Sequence, residues 1–478
     1  MRTVSGDGLQ REMAAVLAPA MRAIASSLGP EGRHVIFSTG NRVDFARTGS
    51  EIARRICPDH YAGRLLKETL VDAERQFGDG TARLAVMAGA ALHEAQRAMA
   101  GHLAPTHLAA ALEDLRPDLD AAFAAEVQPC GPAADLLAAA GLPSDLCHLL
   151  AEADAAVGPE GLIRLNEGAK TQMLPVTGFE FEAGFAGTPP LAAMEGIHLI
   201  VANELLTDFQ KLAPVIEAFA TRGKALVIVA RGFEGQALPL IERNRRAGVV
   251  RMAALLPSDA GPRGAEILAD LAAACGASLL CASQGRTIGT FRPTMLGRAE
   301  RFSFVGGRAR LGGIAGDPGE IALRIASAEA AIRANRYLPF DREHAERRRA
   351  RLLGRWADVT IARGSDSAPL LENARRAVAL LRAARAGGVI EGGGVGLERI
   401  ATRLPRAATA GSAPATAATA MVDAALRAPG RCLRRNAPDS GGAGTGLADP
   451  AGLSRDLLEI ALSLALQLAG VEGAVLRH

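Results

Sequence analysis

The sequence predicts a multidomain protein, helical at its two ends and α/β in its middle. Three observations carry this. A chain of 478 residues is too long for one ordinary core, so two or three domains are expected. The first and last parts place apolar residues at helical spacing, whereas the middle alternates short, continuous apolar runs with segments of helical length.

Near the N-terminus, Leu9, Met13, Val16, Ala20 and Ile24 share one face of a helix over 9–27, in which Pro19 predicts a kink or a poorly packed turn. Gly29 and Pro30 break that helix and a short strand follows. From Tyr61 to about Glu126 the pattern is helical, interrupted mainly by Gly78-Asp79-Gly80-Thr81. In the middle, 197–203, 225–230, 248–256 and 277–283 read as strands separated by helices. Four such alternations predict a parallel sheet covered by helices, over 177–318. Helix returns over 319–350, and "NARRAVALLRAARAGGVIEGGGVGLERIATRL" reads as helix, glycine turn, helix. Residues 404–418 and 438–447 read as loops or links, and an apolar helix over 453–469 ends the pattern.

Composition narrows the function classes. Hydrophobic residues make up 49% and charged residues 22%, a soluble globular balance. With one Trp, two Tyr and 14 Phe, cores must be built from Ala, Leu, Val and Ile, which favours helices and α/β layers. A net charge of +3 gives no general footprint for nucleic acid or a membrane surface. The six cysteines form no CxxC pair and no zinc spacing, so free thiols in a reducing compartment are expected. A polar N-terminus and the lack of any long apolar run predict a cytoplasmic protein.

The motif carrying most chemistry is "FGDGTARLAVMAGAAL" at 77–92, and two readings of it stand side by side. Gly and Asp make turns, and Asp or Thr caps helices. Alternatively, the glycines let a phosphate approach the backbone, the free amides of the helix start attract it, and Asp79 holds a magnesium ion. "EGGGVG" at 391–396 lacks the strand and acidic partner of a dinucleotide fingerprint. No GxxxxGK[ST] or GxSxG occurs, and the nine His lack metal spacing.

The succession "SSLGPEGRHVIF", "TGSEIARRI", "FGDGTARLAV", "GPEGLIRLNEG", "LAPVIEAFATRGKALVIVA", "FEGQALPLIERNRRAGVVRMAAL", "VIEGGGVGLERIATRL" and "LADPAGLSRDLLEIALSLA" resembles the group I chaperonins (GroEL-like proteins) over almost the whole length. The resemblance implies a chaperonin fold of three discontinuous domains. A helical equatorial domain would comprise 1–126 and 387–478, and a small intermediate domain 127–176 and 319–386. The α/β apical domain, at 177–318, would bind non-native polypeptide and a co-chaperonin lid. Assembly into a ring is implied, with copies of itself or with a conventional chaperonin subunit.

The resemblance also implies an ATP or ADP site with Mg2+. Ser27, Leu28, Gly29 and Pro30 match the phosphate-facing loop, Asp79 the magnesium ligand, and Gly80 and Thr81 the phosphate contacts. Gly393 matches the glycine turn near the nucleotide, and Asp449 the acid on the ribose. The family's threonine run after GDGT is broken here by Ala82 and Arg83.

Other departures set the functional expectation. Thr48, in Arg47-Thr48-Gly49, stands where the family has a catalytic-site Asp. Arg376 falls where a second Asp positions the attacking water, with Glu372 the nearby carboxylate. An Arg cannot accept a proton, and loss of a general base typically costs 10²–10⁴-fold in rate. Nucleotide binding with very slow or absent hydrolysis is therefore expected, with Arg376 free to pair with a terminal phosphate.

For clients, Phe185, Leu212, Val215, Ile216, Phe219, Leu238 and Ile241 match apolar groove positions, although such a stripe also reads as core. Glu242 and Arg243 replace apolar groove residues, which predicts a weaker grip on generic unfolded chains. A long segment that would close over the adenine is missing between "ALRAPGRCLRRN" and "LADP". Three functions fit: a nucleotide-binding chaperonin relative with impaired hydrolysis, a nucleotide-independent scaffold or specific binding protein, and a working ATP-driven foldase.

Overall fold

The computed structural model describes residues 2–29, 32–39, 42–46, 48–56, 60–187, 193–207, 213–248, 250–335, 338–405, 411–437 and 447–476. The chain forms two compact units. The first comprises Met1–Ala151, Glu167–Lys170 and Ile361–His478, and the second Glu152–Asn166 and Thr171–Thr360.

The chain begins with β1 (Arg2–Ser5), α1 (Gly6–Ser26), a hairpin of β2 (Val35–Thr39) and β3 (Arg42–Ala46), and α2 (Gly49–Ile56). Then come α3 (Tyr61–Phe77), α4 (Thr81–Ala100), α5 (Pro105–Ala124), α6 (Ala133–Ala139) and α7 (Ser144–Val157). Helix α1 runs on through Pro19. Pro19 and Ala15 are both exposed, so the carbonyl that the proline leaves unbonded can meet water.

The middle of the chain supplies β4 (Leu162–Gly168), β5 (Gln172–Thr177), β6 (Phe179–Phe185), β7 (Met194–Leu206), α8 (Ala213–Arg222), β8 (Ala225–Phe233) and α9 (Ala237–Arg246). It continues through β9 (Met252–Pro257), α10 (Gly261–Cys275), β10 (Gly297–Val305), β11 (Arg308–Ile314), α11 (Pro318–Ala334), α12 (Pro339–Leu353) and β12 (Arg355–Ala362). Strands β7, β8 and β9 are parallel, and antiparallel β6, β10 and β11 close them into a barrel. Leu199, Val201, Val227, Val229 and Leu255 pack with α10, while Ile200, Leu226, Ile228 and Ala254 pack with α8 and α9. Burial on both faces is why these strands read as continuous apolar runs.

The fourth expected strand, 277–283, does not form. Leu280 makes one bridge to Ala202 and fills the core, but a short turn at Ala282–Gln284 ends the pairing. Polar Ser278, Ser283 and Gln284 around that leucine favour a turn over a ladder. The expected all-parallel sheet is thus a mixed barrel.

Within this second unit, β5 passes to β6 through Gly178 (φ 106°), and α12 to β12 through Gly354 (φ 64°). The Gly178 amide donates to the Gly354 carbonyl at 3.0 Å. Beside this glycine pair lies a closed ring of alternating charge. Arg164 pairs with Glu180 and with Asp358 (2.7 Å), and Arg310 pairs with Glu180 (2.5 Å) and Asp358 (2.7 Å). Trp356 lies under the Arg164 guanidinium at 4.7 Å.

The C-terminal part contains α13 (Ser367–Gly387), β13 (Val389–Glu391), α14 (Val395–Arg403), α15 (Ala413–Asn436), β14 (Ala448–Pro450), α16 (Ala451–Ala469) and β15 (Gly473–Leu476), which pairs with β1. Part of the expected 404–418 loop is helix, because α15 starts at Ala413. The Ser412 hydroxyl accepts from the Ala415 amide at 3.3 Å and Pro414 sits in the first turn, both ordinary start signals. Most of the expected 438–447 loop falls outside the described residues. Helices α1, α3, α4, α5, α14, α15 and α16 bury one apolar core, built from residues such as Leu84, Met87, Leu426 and Leu457.

Gly394 (φ 84°) brings α14 against α15, where an added Cβ would stand 2.5 Å from the Gly430 Cα. Gly394→Ala is expected to destabilise the first unit by about 2 kcal/mol through strain and backbone overlap. Denaturant unfolding against Gly364→Ala, where an added Cβ meets nothing within 4 Å, checks this.

Candidate functional site

The loop before α4 is shaped by glycine. Gly78 (φ 75°) closes α3 by donating its amide to the Glu74 carbonyl at 2.8 Å, and Gly80 (φ 87°) opens α4. Among the described residues no side chain caps α4 at Gly80, so its first-turn amides are not taken by such a cap. A Cβ on Gly80 would stand 2.4 Å from Leu457 Cδ1, so α16 also requires glycine there. Asp79 is exposed at the apex, and Thr81 is buried.

The start of α2 and the end of α1 pack on this loop. A Cβ on Gly49 would lie 2.9 Å from the Ala82 amide nitrogen, 3.0 Å from Thr81 Oγ1 and 3.1 Å from Ile24, which brings the starts of α2 and α4 and the end of α1 together. Past that end, Ser27 donates its hydroxyl to the Ile24 carbonyl at 2.7 Å. Asn436 holds the next turn by donating to the Ala25 and Leu28 carbonyls at 2.8 and 3.0 Å. Gly29 (φ 99°) lies against Leu433, and Pro30 is outside the described residues. Ile390 of β13 pairs with Asp449 of β14, and the Gly392 amide donates to the Leu447 carbonyl at 2.8 Å. Gly393 (φ 68°) follows in that turn.

Asp449 is already engaged. Arg83, in the first turn of α4, pairs with it at 2.6 Å and donates to the buried Ser454 hydroxyl at 3.1 Å. Burial alone would lower the Arg83 pKa, but Asp449, by charge and hydrogen bond, and Asp79, by charge, raise it. A cation in the first turn opposes the helix dipole, and that conflict is the sequence signal for an anion partner. The sequence reading passed over it.

The two departures from the expected carboxylates have structural roles. Thr48 caps α2 in a reciprocal box: the Glu51 amide donates to Thr48 Oγ1 at 3.2 Å, and the Thr48 amide donates to Glu51 Oε2 at 3.4 Å. Arg376 lies on α13, which touches the loop where a Cβ on Gly78 would be 3.7 Å from Ala379. Its guanidinium pairs with Glu74 and Glu372, each at 3.6 Å. Glu74, also held by Arg54 at 3.0 Å, is a second carboxylate near the loop that sequence reasoning missed. An acid in the last turn of a helix signals a cationic partner.

The donor set bears on the magnesium expectation. Asp79 is the exposed carboxylate at the loop, and among the described residues no group of three His, Cys, Asp or Glu is placed to hold a metal. Such a site fits magnesium only if phosphate oxygens and water complete its shell.

The expected apolar groove needs correction. Ile216 and Ile241 are 3% and 1% exposed in the core between the barrel, α8 and α9, so neither is presented to a client. Leu238 is half-buried on that core, and Phe185 packs on Phe304 with ring centres 4.3 Å apart. Leu212 lies outside the described residues. The stripe at helical spacing is core, as its apolar character equally allows.

Known proteins carry the same architecture. Residues 21–125, from the end of α1 through α5, match the model of the TCP-1/cpn60 chaperonin family. The chaperonin gp146 from the bacteriophage EL 2 (Pseudomonas aeruginosa), crystallised in the presence of ATP-BeFx, is similar over 100% of this chain and 99% of its own, with a TM-score of 0.71 and 17% identity. A second crystal form of that protein, covering 100% of both chains, has a TM-score of 0.61 and 18% identity. The fold is that of a chaperonin. The chain is similar to chaperonins in fold over its whole length, and to the TCP-1/cpn60 family model over residues 21–125. No described helix is long and apolar enough to cross a membrane.

Proposed function

We propose that this chain acts in protein folding or refolding as a chaperonin that binds ATP or ADP at the start of α4 and hydrolyses it very slowly or not at all. The carrying observation is what occupies the two positions where the resemblance places carboxylates. Thr48 is spent on capping α2, and Arg376 on Glu74 and Glu372. Neither can act as a general base at neutral pH.

Binding is supported by the first-turn amides of α4 beside Gly78, Gly80 and Thr81, and the resemblance adds Ser27, Leu28, Gly29 and Gly393, which lie on other turns of the first unit. Pro30 belongs to the same expected loop. The resemblance assigns Asp79 to Mg2+, but one exposed carboxylate is a poor fit for that ion unless phosphates and water supply the rest of its shell. Asp449 reaches a ribose only by sharing with Arg83.

In this reading 1–126 and 387–478 form the equatorial domain, 127–176 and 319–386 the intermediate domain, and 177–318 the apical domain. The β2–β3 hairpin supports assembly with a second chaperonin-fold chain, its own or a conventional subunit. Val35 and Phe37 pack on the core of the first unit, while Ile36, Val43 and Phe45 on the other face are 61%, 59% and 58% exposed. An apolar face left to solvent on both strands is a surface for a partner. Non-native polypeptide and a lid remain the expected apical partners, in a cytoplasmic setting.

Calorimetric titration of the full chain with ATP and with ADP tests the reading. Saturable binding of both is expected. No binding of either would leave a nucleotide-independent scaffold on the same fold.

A further inference from the structure

Arg83 introduces a permanent positive charge where the family resemblance expects a neutral threonine run. It stands in the first turn of α4, among the amides that face an incoming anion, and within electrostatic reach of Asp79. Its guanidinium has five N–H donors, of which one goes to Asp449 and one to Ser454. Both partners lie on the segment that opens α16, so the guanidinium is anchored from one side and retains donors for a second anion. The side chain is 18% exposed, so its charge acts in a medium that screens it less than bulk water.

Asp79 is the exposed carboxylate of the loop itself, Glu74 beside it is held by Arg54 and Arg376, and among the described residues no group of three ligating side chains forms, a thin donor set for a divalent cation. Magnesium at a phosphate site cancels phosphate charge and fixes its oxygens. A guanidinium does both by bidentate, charge-assisted hydrogen bonds. A fixed cation beside Asp79 also disfavours a second cation there.

We propose that Arg83 takes the place of the magnesium ion, so that this chain binds the phosphates of a nucleotide without a divalent metal. The inference rests on the nucleotide-binding reading above and specifies its chemistry. Phosphates arriving at α4 share Arg83 with Asp449, and the Arg83–Asp449–Ser454 contacts hold the guanidinium in position before the ligand arrives.

The test is ADP binding to the full chain by calorimetry, with excess magnesium and then with EDTA. Three proteins are compared: the natural chain, Arg83→Lys and Arg83→Thr. The natural chain is expected to keep its Kd within about threefold in EDTA. Arg83→Thr should lose about tenfold or more in EDTA, the loss of one charge-assisted contact, and regain affinity when magnesium is added. Arg83→Lys, which keeps the charge but not the fork, should fall between them. If the natural chain binds ADP with magnesium and loses it in EDTA, Arg83 does not replace the metal, while the nucleotide-binding reading survives. If it binds ADP under neither condition, both fail. The natural chain alone decides the first point, so an Arg83→Thr protein that does not fold leaves the test intact.

Discussion

Thr48→Asp combined with Arg376→Asp is expected to raise phosphate release from ATP by about 10²-fold or more over the natural chain, the usual contribution of a positioned general base. The fold should tolerate both changes. Asp is as good a helix N-cap as Thr, so the box with Glu51 can persist at the start of α2. Glu74 keeps Arg54 at 3.0 Å when Arg376 is removed. An aspartate at 376 would face the Glu74 carboxylate, and like charge so close raises a carboxyl pKa toward the range where it accepts a proton near neutrality. Arg376→Asp alone should recover most of the gain, because Thr48 lies at a capping position and Arg376 beside the loop itself. Steady-state phosphate release by the folded variants checks this. Rates unchanged from the natural chain would show that these positions do not limit hydrolysis.

Glu180→Gln is expected to destabilise the second unit by about 3 kcal/mol, because it removes a buried carboxylate and leaves Arg164 and Arg310 sharing only Asp358. Burial alone would raise the Glu180 pKa, but Arg164 and then Arg310, by hydrogen bond and charge, hold it below its ordinary value of 4.5. The folded pKa is therefore the depressed one. The stability it contributes is present above pH 4.5 and is lost as pH falls through the folded value. Trp356, the chain's single tryptophan, stacks on Arg164 and reports on this ring. Its emission should shift to the red during acid unfolding of the natural chain. In Glu180→Gln the urea midpoint followed by the same signal should be lower at pH 7 and vary less between pH 7 and pH 4. An unchanged midpoint would contradict a structural role for the ring.

Much of this was legible in the residues, for definite physical reasons. The helices of the first unit announced themselves through apolar periodicity, as with Leu9, Met13, Ala20 and Ile24, all of which are buried. The three parallel strands appeared as unbroken apolar runs because both of their faces are covered. The run at 277–283 misled for the same reason: Leu280 is as buried as a strand residue, but its pairing ends after one bridge. Burial also hid the difference between groove and core at Ile216 and Ile241, which periodicity cannot separate. At the site, the glycines of the α4 loop could be read directly because turn chemistry is local. The pairing of Arg83 with Asp449, 366 positions apart, and of Arg376 with Glu74 could not. Their only local trace is charge of the wrong sign at a helix end.

This chaperonin fold is expected to hold nucleotide but to turn it over poorly. The most direct measurement is phosphate release from the natural chain at an ATP concentration that saturates it, followed for hours. Full occupancy is expected, with release at least about 10²-fold slower than from Thr48→Asp/Arg376→Asp measured alongside. Release from the natural chain as fast as from that variant would contradict it.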